Sequence, residues 1–325
     1  MARHIDIEQQ PEEALDDAVR VLKAGFPVAI PTETVYGLAA DATNPAAITR
    51  IYETKGRPQF NPLICHMASI AMAEQHAIFD PISRKLAEAF WPGPITLILP
   101  LRKESPIHSL ATAGLDTVGI RIPKGFASAL IEKLGRPLAA PSANSSGKIS
   151  STSAAHVEAD LGQKIDLILD GGAAPVGVES TIIKVESDGS VRLLRPGGLV
   201  AKEIERVTGV ELVRPARASA AIEAPGMLAS HYAPGASVRL NATSVHKGEA
   251  LIRFGNKPVT GKGDAVAVLD LSPNGDLAEA ATNLFDHLKL ADASGAATIA
   301  VTPIPKTGLG EAINDRLERA AAPRS

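Results

Sequence analysis

The chain has 325 residues, 45% of them hydrophobic and 21% charged, an ordinary globular composition that excludes a disordered or fibrous protein and fits two domains at ~150 residues each. Aromatic residues are only 3%, so the cores must be built from Ala, Val, Ile and Leu. The stretch through Arg214 carries 22 basic and 25 acidic side chains and the remainder 11 of each, so neither half has the cationic excess of a protein that grips nucleic acid through its phosphates.

Strand-length apolar runs fall at Pro27–Ile30, Pro62–Cys65, Ile95–Leu99, Val118–Ile122, Pro137–Ala140, Ile165–Leu169, Thr181–Val185 and Val191–Leu194. Between them, Pro45–Thr54, Ile82–Phe90, Ala127–Leu134 and Ser153–Leu161 carry apolar residues at helical spacing, with Ser153 placed to cap the last. Strands and helices mix without a regular βαβ rhythm, which predicts a mixed α/β sheet over 1–213. An Ala- and Pro-rich stretch with neither period, 214–236, reads as a linker, yet it holds His231 and Tyr232, an unusual pair for an inert spacer. A second α/β pattern occupies 237–325, with strands at Val238–Leu240, Ala250–Phe254, Ala265–Leu271 and Thr298–Val301 and helices at Leu277–Asp292 and Glu311–Ala320. One cysteine, Cys65, excludes an internal disulfide framework and a cysteine-built zinc site. The opening residues lack the apolar centre of a signal peptide, and no run has the ~18 apolar residues of a membrane span, so the expectation is a soluble cytoplasmic protein with no membrane partner.

Standard nucleotide loops are missing. Gly255 to Gly261-Lys262 is one residue too long for a phosphate-binding loop, and Gly263 stands where Ser or Thr would meet magnesium. Gly308-Leu309-Gly310 lacks the third glycine of a dinucleotide fingerprint, and the eight histidines show no metal-ligand spacing, so no protein metal site is expected. Other segments carry denser chemistry. PTETVYGL follows a strand, where open α/β sheets place ligands; a solvated turn is the bland alternative. KGRPQFNPL offers two cations and an amide in a loop held by Gly and Pro, suited to a polyphosphate or else a solvated pair. Arg121 interrupts the apolar strand of TVGIRIP and needs a partner, either a ligand carboxylate or an internal acid. PSANSSGKISST leads hydroxyls and backbone donors into a helix, an anion site or a flexible loop. GVEST and LRPGG flank strands and read singly as turns.

In this order, PTETVYGL, KGRPxxNPL, WPGPITLIL, VGIRIP, APSANxSG, GVESTI and LRPGG resemble the Sua5/YrdC family of L-threonylcarbamoyladenylate synthases over roughly 10–210, and APGMLASHYAP resembles the interdomain linker of its two-domain branch. The resemblance implies a YrdC-like mixed twisted sheet with helices, followed by a smaller Rossmann-like α/β domain. It also implies a nucleotidyltransferase that joins L-threonine, bicarbonate and ATP, with Mg2+, into threonylcarbamoyl-AMP and pyrophosphate. The product would pass to a transferase complex that modifies adenosine 37 of tRNAs; direct tRNA contact stays open. Carried over by motif, Lys55 and Arg57 would serve the reacting centre, Thr34, His66, Arg121 and Ser180 would hold threonine, and Arg57, Asn61, Thr117, Ser142, Ser150, Arg195 and Tyr232 would contact ATP. Ala140 departs from relatives that have a hydroxyl there. The other reading is a YrdC-like RNA-binding module without synthase activity.

Overall fold

In the computed structural model, residues 1–215, 223–227 and 230–323 are described. Ten strands form one sheet: β1 (Arg3–Asp6), β2 (Val28–Ile30), β3 (Gly37–Asp41), β4 (Ile64–His66), β5 (Ile95–Pro100), β6 (Thr117–Arg121), β7 (Leu138–Ala139), β8 (Leu167–Asp170), β9 (Thr181–Val185) and β10 (Val191–Arg195). Their order is β1-β8-β2-β3-β7-β4-β6-β5-β9-β10, with parallel pairs such as β4–β6 beside antiparallel ones such as β5–β6. The sheet is mixed, as the irregular rhythm predicts.

Eight helices accompany it: α1 (Pro11–Lys23), α2 (Pro45–Lys55), α3 (Ile70–His76), α4 (Pro81–Phe90), α5 (Ser109–Thr112), α6 (Phe126–Leu134), α7 (Ala154–Leu161) and α8 (Ala201–Thr208). The two largest apolar clusters against the sheet lie around Leu38, Ile48, Ile51 and Ile120 and around Ile5, Leu22, Ile30 and Leu130. Ser153 caps α7, its hydroxyl accepting from the His156 N–H at 3.3 Å. Two strands were not anticipated. β3 reads Gly-Leu-Ala-Ala-Asp, without β-branched residues, and is a strand because pairing with β2 and β7 buries all five positions. β1 is short and partly exposed, and gains its ladder only from β8, 164 positions on at Arg3↔Leu167.

The second sheet is wholly parallel, in the order β11-β14-β12-β13, from β11 (Ser237–Arg239), β12 (Ala250–Phe254), β13 (Ala267–Ser272) and β14 (Thr298–Val301). It is covered by α9 (Leu277–Ala293) and α10 (Leu309–Ala321). This matches the expected Rossmann-like module. Its core also includes Val35, Ile149, Val178 and Tyr232, so loops from the first sheet and the linker are built into it. Of the expected linker, 216–222 and 228–229 lie outside the described residues. No described helix is long and apolar enough to cross a membrane.

Candidate active site

The motif loops converge on one cavity of about 50 Å³. Its wall includes Thr32 and Thr34 after β2, Arg57 after α2, His66 ending β4, Arg121 ending β6, Ser142 after β7, Glu179 and Ser180 before β9, and Arg195 ending β10. Pro225, Gly226, His231 and Tyr232, from the stretch expected as a linker, complete it.

Local sequence places each group. Thr32 Oγ1 accepts from the Thr34 and Val35 N–H groups at 3.2 and 3.3 Å, folding the loop so that Thr34 faces inward. Asn44 caps α2 through the Ala46 N–H at 3.0 Å, and Gly56, at φ +60°, ends it in the left-handed conformation and turns the chain at Arg57. Arg57 is then pinned, donating through Nε to Asn61 O at 3.2 Å and through Nη2 to Pro62 O at 2.8 Å. GVEST and LRPGG form one unit. A Cβ at Gly197 would lie 2.3 Å from Glu179 O, and Gly198 N–H donates to that carbonyl at 3.0 Å.

Arg121 is 4% exposed and meets an internal acid, one of the two partners its position allows, together with a threonine hydroxyl. Its Nη1 donates to Thr34 Oγ1 at 2.8 Å, and its Nη2 lies 2.7 Å from Glu33 Oε1, an ion pair whose angle falls short of a hydrogen bond. Glu33, with Gly93 O accepting from Nε at 3.3 Å, thus fixes the guanidinium at the cavity. Arg195 donates through Nε and Nη2 to Ser180 O at 3.1 and 2.9 Å, and through Nη2 to Ser180 Oγ at 3.1 Å. Ser180 Oγ also sits 2.8 Å from Thr96 Oγ1.

Burial pushes His66 down to about 3, with Arg121 adding to it, so this imidazole is neutral at pH 7. His231 is likewise pushed down to about 3 by burial, and its Nδ1 is buried without a hydrogen-bond partner. Burial lowers Arg57 to about 10, still fully cationic at pH 7. Among the described residues, three arginines thus face one wall carboxylate, Glu179, in a chain whose net charge is −3. The Cys65 thiol is buried and pushed up to about 12, which removes it as a nucleophile.

Eight of the anticipated residues line this wall: Thr34, Arg57, His66, Arg121, Ser142, Ser180, Arg195 and Tyr232. Four do not. Lys55 is buried and donates its ammonium to Ser142 O at 2.5 Å and to Asn144 O, clamping the 142–146 loop from behind; burial holds its pKa well below the ordinary value, with Arg57 next. Ser150 donates to Glu179 Oε1 at 2.5 Å. Asn61 lies behind Arg57 with both side-chain polar atoms buried and unpaired. Thr117 begins β6, four residues or ~13 Å along the strand from Arg121.

Sequence reasoning missed the support from the second domain. Arg316 of α10 is fully buried and donates to Glu179 Oε2 at 2.8 Å, Pro196 O at 2.7 Å and Asp315 Oδ2 at 3.0 Å. Burial works to raise the Glu179 pKa, but Arg316 and Arg195 more than offset it and hold the carboxyl below its usual range. The Arg316 guanidinium lies 5.2 Å from the centre of the Tyr232 ring, which stacks on Phe285 of α9 at 5.5 Å. Tyr232 is therefore seated on the second domain. A signal was present, because Ile313, Arg316, Leu317 and Ala320 share one helical face and an arginine on an apolar stripe needs a partner.

The family model described as "Telomere recombination", for Sua5, YciO and YrdC proteins, matches residues 20–197, and "Threonylcarbamoyl-AMP synthase, C-terminal domain" matches 199–322. The threonylcarbamoyl-AMP synthase of Pyrococcus abyssi is 42% identical, with 98% of each chain covered. That of Bacillus subtilis is 41% identical over 94% of this chain and 92% of its own. The crystal structure of P. abyssi Sua5 complexed with L-threonine superposes with a TM-score of 0.86 at 39% identity, covering 99% of this chain and 97% of that one.

Proposed function

The chain belongs to the Sua5/YrdC family and carries the C-terminal domain of its threonylcarbamoyl-AMP synthases, and from this premise we propose that it makes threonylcarbamoyl-AMP and pyrophosphate from L-threonine, bicarbonate and ATP. The observation that carries the reading is the gathering of Arg57, Arg121 and Arg195 around a cavity with neutral His66 and one wall carboxylate, a set suited to a carboxylate and phosphates together.

The threonine amine forms a bond to the bicarbonate carbon and water leaves, giving an N-carboxylate. One oxygen of that carboxylate attacks the α-phosphorus of ATP in line, and the bond to the β-phosphate breaks to release pyrophosphate. Such a transfer depends on position and charge neutralisation more than on a protein nucleophile. Arg121, already oriented by Glu33, takes the threonine carboxylate, with Thr34, His66 and Ser180 around the rest. Neutral His66 can hydrogen-bond without adding charge beside Arg121. Arg57 and Arg195 receive phosphates, while Asn61, Thr117, Ser142, Ser150 and Tyr232 serve the nucleotide. Lys55 shapes the 142–146 loop through two of its three ammonium N–H groups, and the third remains to meet a phosphate.

Magnesium enters as the counter-ion of ATP. No group of three or more His, Cys, Asp or Glu side chains that could hold a metal ion is present among the described residues. A cavity of about 50 Å³ is far below the ~300–1,000 Å³ of pockets that enclose drug-sized ligands, so the linker residues that complete it form a lid that must open to admit ATP. Closure then excludes water from the activated intermediate. The product supplies a cytoplasmic transferase acting on tRNA. An RNA-binding role without synthesis finds no support in cations that gather inside a lidded cavity.

The test is pyrophosphate release from Mg-ATP with threonine and bicarbonate omitted in turn. Release that needs both is the expected result; release indifferent to threonine overturns the reading.

A further inference from the structure

All four strands of the second sheet point the same way, so the loops at their C-terminal ends collect along one rim. From β12 the chain passes to β13 on one side, then returns through α9 to β14 on the other side of β12. In open α/β sheets, ligands bind in the crevice outside the strand ends where connections part in this way. Here the rim opens on a cavity of about 420 Å³, walled by residues after each of the four strands and within the ~300–1,000 Å³ usual for small-molecule sites.

The chemistry of the wall narrows the ligand. Phe254, Pro258, Pro303 and Pro305 present flat apolar faces, and among the described residues no carboxylate lines the cavity. Arg253 is already paired with Asp270, its Nε 2.5 Å from Oδ1. Lys257 is exposed and makes no ion pair or hydrogen bond among the described residues, and the backbone N–H groups of Asn256 and Lys257 have no acceptor there. An uncommitted cation and two free amides beside an apolar slot match a molecule with a planar ring at one end and a phosphate at the other. An apolar ligand would leave Lys257 and the amides without a role, and a bare anion would leave the slot unfilled.

We propose that this crevice is a second ligand site, separate from the lidded cavity, and that it takes a nucleoside monophosphate. The ring lies against Phe254 and the prolines, and the phosphate meets Lys257 and the amides of Asn256 and Lys257. None of these residues belongs to the cavity that holds Arg57, Arg121 and Arg195.

The probe is AMP on the full chain, with binding stoichiometry by equilibrium dialysis and hydrogen exchange of the 255–260 and 302–305 loops. AMP is expected to protect both loops, and the chain to bind one equivalent more than the Lys257→Glu variant. In that variant loop protection falls at least tenfold, whereas Lys257→Arg retains it. Because Lys257 is exposed, neither substitution disturbs folding, and pyrophosphate release at saturating substrate stays unchanged in both. Equal stoichiometry in the chain and Lys257→Glu, or protection that survives Lys257→Glu, overturns the site. Inorganic phosphate protecting the loops as strongly as AMP overturns the nucleoside part and leaves a plain anion site.

Discussion

The lidded cavity of the first domain and the rim crevice of the second are made of opposite materials. The first is small, lined by buried arginines around one carboxylate, and backed by an arginine from α10. The second is roomier, walled mostly by apolar residues, and borders on one exposed lysine. Buried charge holds groups at fixed angles but makes every one dependent on its neighbours, since an ion left unpaired in a dry interior is costly. An apolar slot tolerates change and specifies less. The site proposed for bond making is accordingly the one assembled from both domains, while the crevice is assembled from one.

Breaking the comparison at its most dependent point means removing Arg316. Arg316→Ala leaves Glu179 buried without its closest cation and should cost about 3–5 kcal/mol of unfolding free energy by urea titration. A loss below ~1 kcal/mol would show that the second domain merely abuts the first. Next in size is Arg121→Ala, expected to cut kcat/KM for threonine by ~10²–10³ while the ATP requirement changes far less. Equal losses toward both substrates would remove Arg121 from the threonine carboxylate.

Acid should separate the two regions as well. His66 and His231 titrate near 3 when folded and near 6.5 as ordinary histidines, so between those values the unfolded chain binds more protons. Stability is therefore full above pH 6.5 and declines as pH falls toward 3, by up to ~1.4 kcal/mol per pH unit for each histidine. Urea titrations at pH 7, 6 and 5 should show a shallower decline in His66→Gln; an unchanged slope would mean that His66 is not buried neutral. The smallest effect expected is that of Thr282→Val, which removes the hydrogen bond from Thr282 Oγ1 to Pro175 O across the domains at 2.7 Å and should cost ~1 kcal/mol. A cost rivalling that of Arg316→Ala would spread the interdomain coupling over the whole contact.

Much of this was readable in advance where local pattern and tertiary environment agree. β9, β12 and β14 start and stop where their apolar runs do. β3 was hidden because Leu, Ala and Ala carry no strand preference, and only burial between two partners makes them extended. Within the site, the ordered motifs pointed to the wall residues, but not to which side chains turn away. The resemblance names Lys55 and Ser150 as ligand contacts, and no local pattern names the partners they have here, loop carbonyls for Lys55 and Glu179 for Ser150. The lid's support was the least legible part, because Glu179 and Arg316 lie 137 positions apart and each reads locally as an ordinary charged residue.

That pairing also constrains descent. The buried carboxylate at position 179 draws one of its cations from the far end of the chain, beside Arg195 and Ser150, so a change at either end of the 179–316 pair alone is expected to destabilise the chain. Lineages that dispense with the second domain should therefore have replaced Glu179 with a neutral residue, and a chimera that exchanges second domains should fold well only when the donor supplies the matching arginine on its last helix.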